Sequence, residues 1–483
     1  MTAVNQTTQQ PYTGDEICRK QAFQVVDMLR RGEVSPAELI DAAFARIGAV
    51  EAAVNAMPIT CRSRAEAAAI RLDDTMRDHP GWLAGLPLGI KDLTAVAGVR
   101  CTSGSLGLAD FVPEASDPLV TMIEARGGIV VGKTNTPEFG AGGNTFNEVF
   151  GRTRNAYDTR LNAAGSSGGA AVSLATGEVW LSHGSDHGGS LRTPAAYNGI
   201  VGLRPSPGLC GSLSNTAFLI EGQEGPMARS VRDCALFLDA MAGFQPAVPT
   251  SFPPPAKSYQ QSVIEADNKI RIGFAPDLGG YAPVEPVIMD ALHGAMLLVE
   301  RNGGVVEEAC PDLSELEPTY HVLRGLKMAA AFKRAPQEVT RHLKPTIVGN
   351  IAFGRALSVD QIADAQLNRT VIFNNMHEYL QRYDVLACAT VGCMPRPVEV
   401  EWVDEINGLK LSGYMDWLKF AFLATTAGLP AISIPVGFSE EGLPIGIQLI
   451  GPPRGEAKLL AVAAMVEAVV GGPNGPIDPN IRH

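Results

Sequence analysis

Between Ala164 and Pro194 two glycine–serine segments bracket a small-residue helix and an apolar run. The segments read Ala164-Gly-Ser-Ser-Gly-Gly169 and Gly184-Ser-Asp-His-Gly-Gly-Ser-Leu-Arg-Thr-Pro194. No other stretch limits the fold as strongly. Glycine beside serine lets the backbone take positive φ and come close to a ligand. Consecutive glycine N–H groups can then converge on one point, which suits an oxyanion. One such loop reads as a flexible connection. Two of them around a buried helix–strand unit read as a catalytic stretch, with Asp186 and Arg192 bracing the second loop.

The rest of the chain alternates helix and strand. Ser35-Pro36 supplies an N-cap and a first-turn proline, and Leu39, Ala42, Ala43 and Ile47 follow at helical spacing. A second helix is expected over Arg62–Asp78. An apolar strand begins at Leu83 and ends in Lys91-Asp92. Asp117-Pro118 opens a helix that stops at Gly127-Gly128, before the strand Ile129–Val131. Glu138–Asn155 reads as a loop. Ser230-x-x-Asp233 is a capping box for a helix over Val231–Met241. Strands are expected over 270–274, 305–308, 384–389, 431–434 and 445–450, with helices near 286–301, 411–427 and 456–470. This alternation predicts an α/β layered fold.

A length of 483 residues sets a soft prior of about two to four domains, although large α/β enzymes can hold it in one. The proline-rich connection from Phe244 to Ser258 reads as a surface loop. A single domain over 1–483 is therefore expected, with residues 1–12 as a loose polar tail and no signal peptide. No apolar run reaches the roughly 18 residues of a membrane span, so no membrane partner is expected. The net charge of −12 disfavours non-specific attraction to nucleic acid, and none is expected as a partner. Eight cysteines are scattered without a Cys-x-x-Cys pair, as for structural thiols in a reducing cytoplasm. No His/Cys/Asp cluster shows ligand spacing, so neither metal nor cofactor is expected.

Lys91 stands out because the residues before it argue for burial. A desolvated lysine has its pKa lowered and becomes a usable base; the plain alternative is a strand-end lysine reaching solvent. Two lookalikes fail on context. Gly127-x4-Gly-Lys133-Thr134 spells a phosphate loop, but its intervening positions contain the strand and no helix follows. Gly165-Ser-Ser167-Gly-Gly169 spells a nucleophile elbow, but no hydrophobic strand precedes it. His183 and His187 lie near Ser190, in no familiar serine-hydrolase order.

Gly165–Gly169 followed by Gly184–Ala196 resembles the amidase signature family of serine hydrolases. The likeness extends to Gly-Ile-Lys91-Asp92, Gly132-Lys-Thr-Asn-Thr-Pro-Glu138, Gly199-Ile-Val-Gly-Leu-Arg-Pro205, Ala427-Gly-Leu-Pro430 and Gly442-Leu-Pro-Ile-Gly446. The resemblance implies a mixed, twisted central sheet with helices on both faces. Its signature core would cover about 83–240 and 384–470, with a variable substrate-side region near 305–383. It also implies a Ser–Ser–Lys triad: Ser190 as nucleophile, Ser166 as bridging serine on a cis peptide, and Lys91 as base. The backbone N–H groups of His187, Gly188, Gly189 and Ser190 would form the oxyanion hole, and Ala141, Gly142 and Gly143 would contact substrate. Ala164 and His187 depart from the usual residues at their positions, and His187 bears on the pocket wall beside the oxyanion hole.

Two functions follow from the likeness. The first is a stand-alone hydrolase, monomer or homodimer, that cleaves the C–N bond of small amides, anilides or carbamates. The second is the glutamine-amidase subunit of a multi-protein amidotransferase.

Overall fold

The computed structural model describes residues 11–482. Of the expected loose tail, residues 1–10 lie outside the described residues; the Tyr12 ring lies beneath the Arg46 guanidinium, 4.6 Å away.

Eleven strands form one sheet. In chain order they are β1 (Ile59–Thr60), β2 (Pro87–Lys91), β3 (Ile129–Thr134), β4 (Leu181–Asp186), β5 (Val201–Arg204), β6 (Gln223–Ala228), β7 (Arg271–Phe274), β8 (Val305–Glu308), β9 (Val385–Ala389), β10 (Ala431–Phe438) and β11 (Pro444–Ile450). Across the sheet the order is β1-β3-β2-β4-β6-β5-β10-β11-β9-β7-β8. β2 runs parallel to β3 and β4, and β7 parallel to β8 and β9. The other pairings are antiparallel, so the sheet is mixed. Strands on both sides of the proline-rich connection belong to this sheet.

Helices cover both faces. The positions used below are α1 (Pro36–Val54), α2 (Gly168–Ala175), α3 (Arg192–Tyr197), α4 (Val231–Met241) and α5 (Leu316–Ala331). Along β3, Ile129 and Val131 pack into one apolar cluster while Val130 packs into another, as the two-residue period of a strand requires. The apolar residues of α2 join the first cluster and those of α4 the second. Both faces are therefore dry, which is why β2 and β3 are buried throughout. Among the described residues no helix is long and apolar enough to cross a membrane.

Several expected elements change. The helix after Cys61 ends at Ile70, and Asp73 accepts the Thr75 N–H in a local turn beyond it. The helix expected over 411–427 is a turn, then a 3₁₀ segment (Asp416–Ala421) and a short α-helix (Phe422–Ala427). Asp416 Oδ2 accepts both N–H and O–H of Ser412 and the N–H of Gly413, which favours the turn over a helix start. The loop over 138–155 contains a two-residue hairpin pairing, Phe146–Asn147 with Gly151–Arg152. Strands β5 and β6 are absent from the expectations because glycine and Pro226 interrupt their pattern. A Cβ at Gly202 would meet the Leu191 carbonyl oxygen at 2.2 Å, so that glycine lets the segment before α3 lie on the sheet.

Candidate active site

Three segments converge behind one cavity: the end of β2, the turn before α2 and the turn before α3. Leu88 and Ile90 are buried in the sheet, and they carry Lys91 into the interior with no exposed surface. Its Nζ lies 2.7 Å from Ser166 Oγ, 2.9 Å from Ser167 Oγ and 3.0 Å from Ser185 Oγ. The lysine is thus ringed by hydroxyls. Burial pushes its pKa down to about 7, against the opposing pull of the Glu224 and Asp186 carboxylates. The Gly165–Ser166 peptide is cis. Gly169 must be glycine for the turn to reach this place, because a Cβ there would meet Asn135 N at 2.3 Å and Ala56 O at 2.4 Å.

Ser166 and Ser190 line a cavity of about 1110 Å3, whose apolar wall includes Leu93, Phe139, Ile220 and Phe332. The loop carrying Ser190 is pinned from beneath by Asp186. That carboxylate pairs with Arg192 at 2.8 Å and Arg204 at 3.3 Å, and it accepts the N–H groups of Gly189 and Leu191, both at 3.1 Å. Burial alone would raise its pKa, but the two guanidinium groups hold it well below the usual carboxylate range.

This geometry revises one expected oxyanion donor. The Gly189 N–H is committed to Asp186 Oδ1, since a carboxylate beneath the loop attracts the nearest donor. The N–H groups of His187, Gly188 and Ser190 have no intramolecular acceptor among the described residues. The substrate-contact expectation also divides. Ala141 lines the cavity, whereas Gly142 and Gly143 lie off it, against Lys344 Nζ and the Trp417 ring respectively.

Neither histidine pairs with Ser190. His183 Nδ1 accepts the Lys91 backbone N–H at 3.4 Å, and its Nε2 lies 2.8 Å from Glu224 Oε2. His187 lines the cavity; burial and the charges of Arg324, Lys327 and Arg204 push its pKa well down, so it is neutral near pH 7. Ser167, Ser185, His183 and Glu224 complete the surroundings of Lys91 and went unassigned in the sequence, apart from the weighed Ser–His pair. Ser167 and Ser185 had a signal, their places inside the two glycine–serine segments. Lys133, of the phosphate-loop lookalike, is buried in β3 and paired with Asp92 at 3.3 Å. One group of metal-ligand type exists among the described residues, Glu317, His321 and Asp416, away from this cavity. Spacing concealed it, and Glu317 is already paired with Lys419.

A family model described as Amidase matches residues 38–460. The chain belongs to the amidase family. A solved bacterial aryl acylamidase of the amidase signature family superposes with a TM-score of 0.86 at 27% identity, covering 93% of this chain and 96% of that one. A 6-aminohexanoate cyclic dimer hydrolase follows at 0.84 and 26%, covering 94% and 98%. Among curated relatives, a glutamyl-tRNA(Gln) amidotransferase subunit from Thermosynechococcus vestitus is 33% identical over 467 residues, 91% of this chain and 95% of that one. The same subunit from Moorella thermoacetica is 32% identical over 476 residues, 92% and 96%. The amidase fold and an enzyme class acting on carbon–nitrogen bonds are thereby established.

These relatives correct the expected partners of this amidase. A small molecule alone, with no nucleic acid and no unlike subunit, was the expectation, yet the relatives are by name subunits of an enzyme acting on a transfer RNA. The net charge of −12 was the wrong guide. It governs non-specific attraction of the chain alone, whereas in a multi-subunit enzyme another chain can supply the contacts.

Proposed function

We propose that the protein hydrolyses a C–N amide bond through an acyl-enzyme on Ser190. The observation that carries this is the 2.7 Å contact between a fully buried Lys91 and Ser166 Oγ, at the floor of the cavity that Ser190 also lines. Neutral Lys91 draws a proton from Ser190 Oγ through the Ser166 hydroxyl. The Ser190 oxygen bonds to the amide carbon, and the oxyanion accepts hydrogen bonds from the N–H groups of His187, Gly188 and Ser190. Such donors contribute about 3–4 kcal/mol each where measured. The relay returns the proton to the nitrogen as the C–N bond breaks, so an amine or ammonia leaves neutral. Water then takes the place of Ser190 on the acyl carbon by the reverse relay. A reducing cytoplasm suits the chain, whose eight cysteines are all unpaired.

Two substrates are supported by different observations. The curated relatives support release of ammonia from glutamine within an amidotransferase, and they weigh more for that reading than for a stand-alone enzyme. The volume and apolar wall of the cavity support a bulkier amide, anilide or carbamate, cleaved by the chain in isolation. Purified protein, sized by exclusion chromatography and assayed alone on glutamine and on a panel of amides, anilides and carbamates, separates them. Turnover of anilides without partner chains supports the second. Glutaminase activity that appears only with partner subunits supports the first, and no amide turnover in either setting contradicts the reaction itself.

A further inference from the structure

The cavity in front of Ser190 is charged in the opposite sense to the chain. The whole carries −12, yet Arg324 and Lys327, three positions apart on α5, both line the cavity, with Lys333 and Arg334 at its exposed margin. The acidic residues of the same wall are otherwise engaged. Asp186 is held by Arg192 and Arg204, and Glu224 contacts His183. Glu221, whose charge also reaches Lys327, is paired with Arg369 at 3.0 Å.

Neither cation of α5 forms an ion pair among the described residues. Arg324 is only 6% exposed, and its partners are neutral: Nε–H donates to Asn350 Oδ1 at 3.2 Å and Nη2–H to Tyr414 Oη at 2.5 Å. Lys327 donates to the Leu219 carbonyl at 2.9 Å. A buried guanidinium without an anion is held at a cost in desolvation, and its planar fork matches a carboxylate. The positive field also extends to the candidate nucleophile loop, because Arg324 and Lys327 are among the causes that depress His187.

We infer that the substrate carries a carboxylate remote from its scissile amide, and that Arg324 and Lys327 receive it. This rests on the amide-hydrolysis reading and narrows its substrate class to acidic amides, in which glutamine and the monoamides of dicarboxylic acids both fall. The apolar wall then meets the methylene or aryl portion between the two ends.

The test measures binding and turnover on matched probes. Monoanilides of succinic, glutaric and adipic acid are compared with the anilides of the monocarboxylic acids of equal length. Binding is read by calorimetry on Ser190→Ala, where nothing is consumed, and kcat/KM on wild type. The acidic member of each pair is expected to bind at least about tenfold tighter, an advantage reduced by salt and largely lost in Arg324→Met and Lys327→Met. Lys327, being half-buried, supplies the test if Arg324→Met folds poorly. Equal affinity for neutral and acidic probes overturns the inference, as does a variant that weakens both members alike, the signature of a merely structural role. Acid-selective binding without turnover in wild type upholds this inference while contradicting the hydrolysis reading, so the two fail separately.

Discussion

Lys91 Nζ stands 2.7 Å from Ser166 Oγ, with no water-exposed surface on the lysine and no carboxylate paired to it among the described residues. Burial disfavours the ammonium form of a lysine so placed and pushes its pKa down to about 7.

The first prediction concerns pH. Only unprotonated Lys91 can accept a proton, so kcat/KM rises with pH and reaches half its plateau near pH 7. Lys91→Ala and Lys91→Arg are expected to lower amide kcat/KM by about 10²–10⁴-fold, the second because a guanidinium stays protonated. Near-normal turnover by Lys91→Arg, followed from about pH 6 to 10 to bracket a depressed lysine pKa, contradicts the relay.

Glu224 offers a sharper version of the same measurement. Its carboxylate favours the ammonium form of Lys91, opposing the larger effect of burial. In Glu224→Gln the acid limb of the kcat/KM profile therefore moves to lower pH. An unmoved limb, or one displaced upward, removes Glu224 from the account of Lys91.

Asp186 is predicted to matter for both stability and rate. Asp186→Asn leaves Arg192 and Arg204 without their shared carboxylate and loosens the N–H groups of Gly189 and Leu191. Removing one member of a buried ion pair costs roughly 3–5 kcal/mol. Urea unfolding should show the loss and anilide turnover a fall in kcat. A variant as stable and active as wild type means the loop is held by something else.

Much of this arrangement could be read before any coordinates. The apolar run before Lys91 pointed to its burial, whereas the grouping of Lys91 with Ser166 and Ser190 came from the likeness to a family and not from the residues alone. Strands β5 and β6 were illegible because Pro226 breaks the strand pattern and Gly202 and Gly225 are fitted to neighbours elsewhere in the chain, the Leu191 and Leu203 carbonyl oxygens. The Gly189 N–H was misassigned for a related reason: adjacent donors look equivalent in sequence until a carboxylate claims one. Arg324 and Lys327 lie in a segment without a motif, and only the packing of α5 against the cavity gives them meaning. Partner chemistry was misjudged from net charge, which averages over the surface and ignores both the cavity and any assembly.

The most direct test of the central claim is where an acylating or phosphonylating reagent lands. Wild-type protein is treated with a serine-directed phosphonate or sulfonyl fluoride, digested and mapped by mass spectrometry, with amide turnover followed in parallel. The account predicts a single adduct on Ser190 in step with loss of activity. It also predicts no adduct and no turnover in a folded Ser190→Ala. An adduct on Ser167, or labelling and turnover that persist in Ser190→Ala, contradicts it.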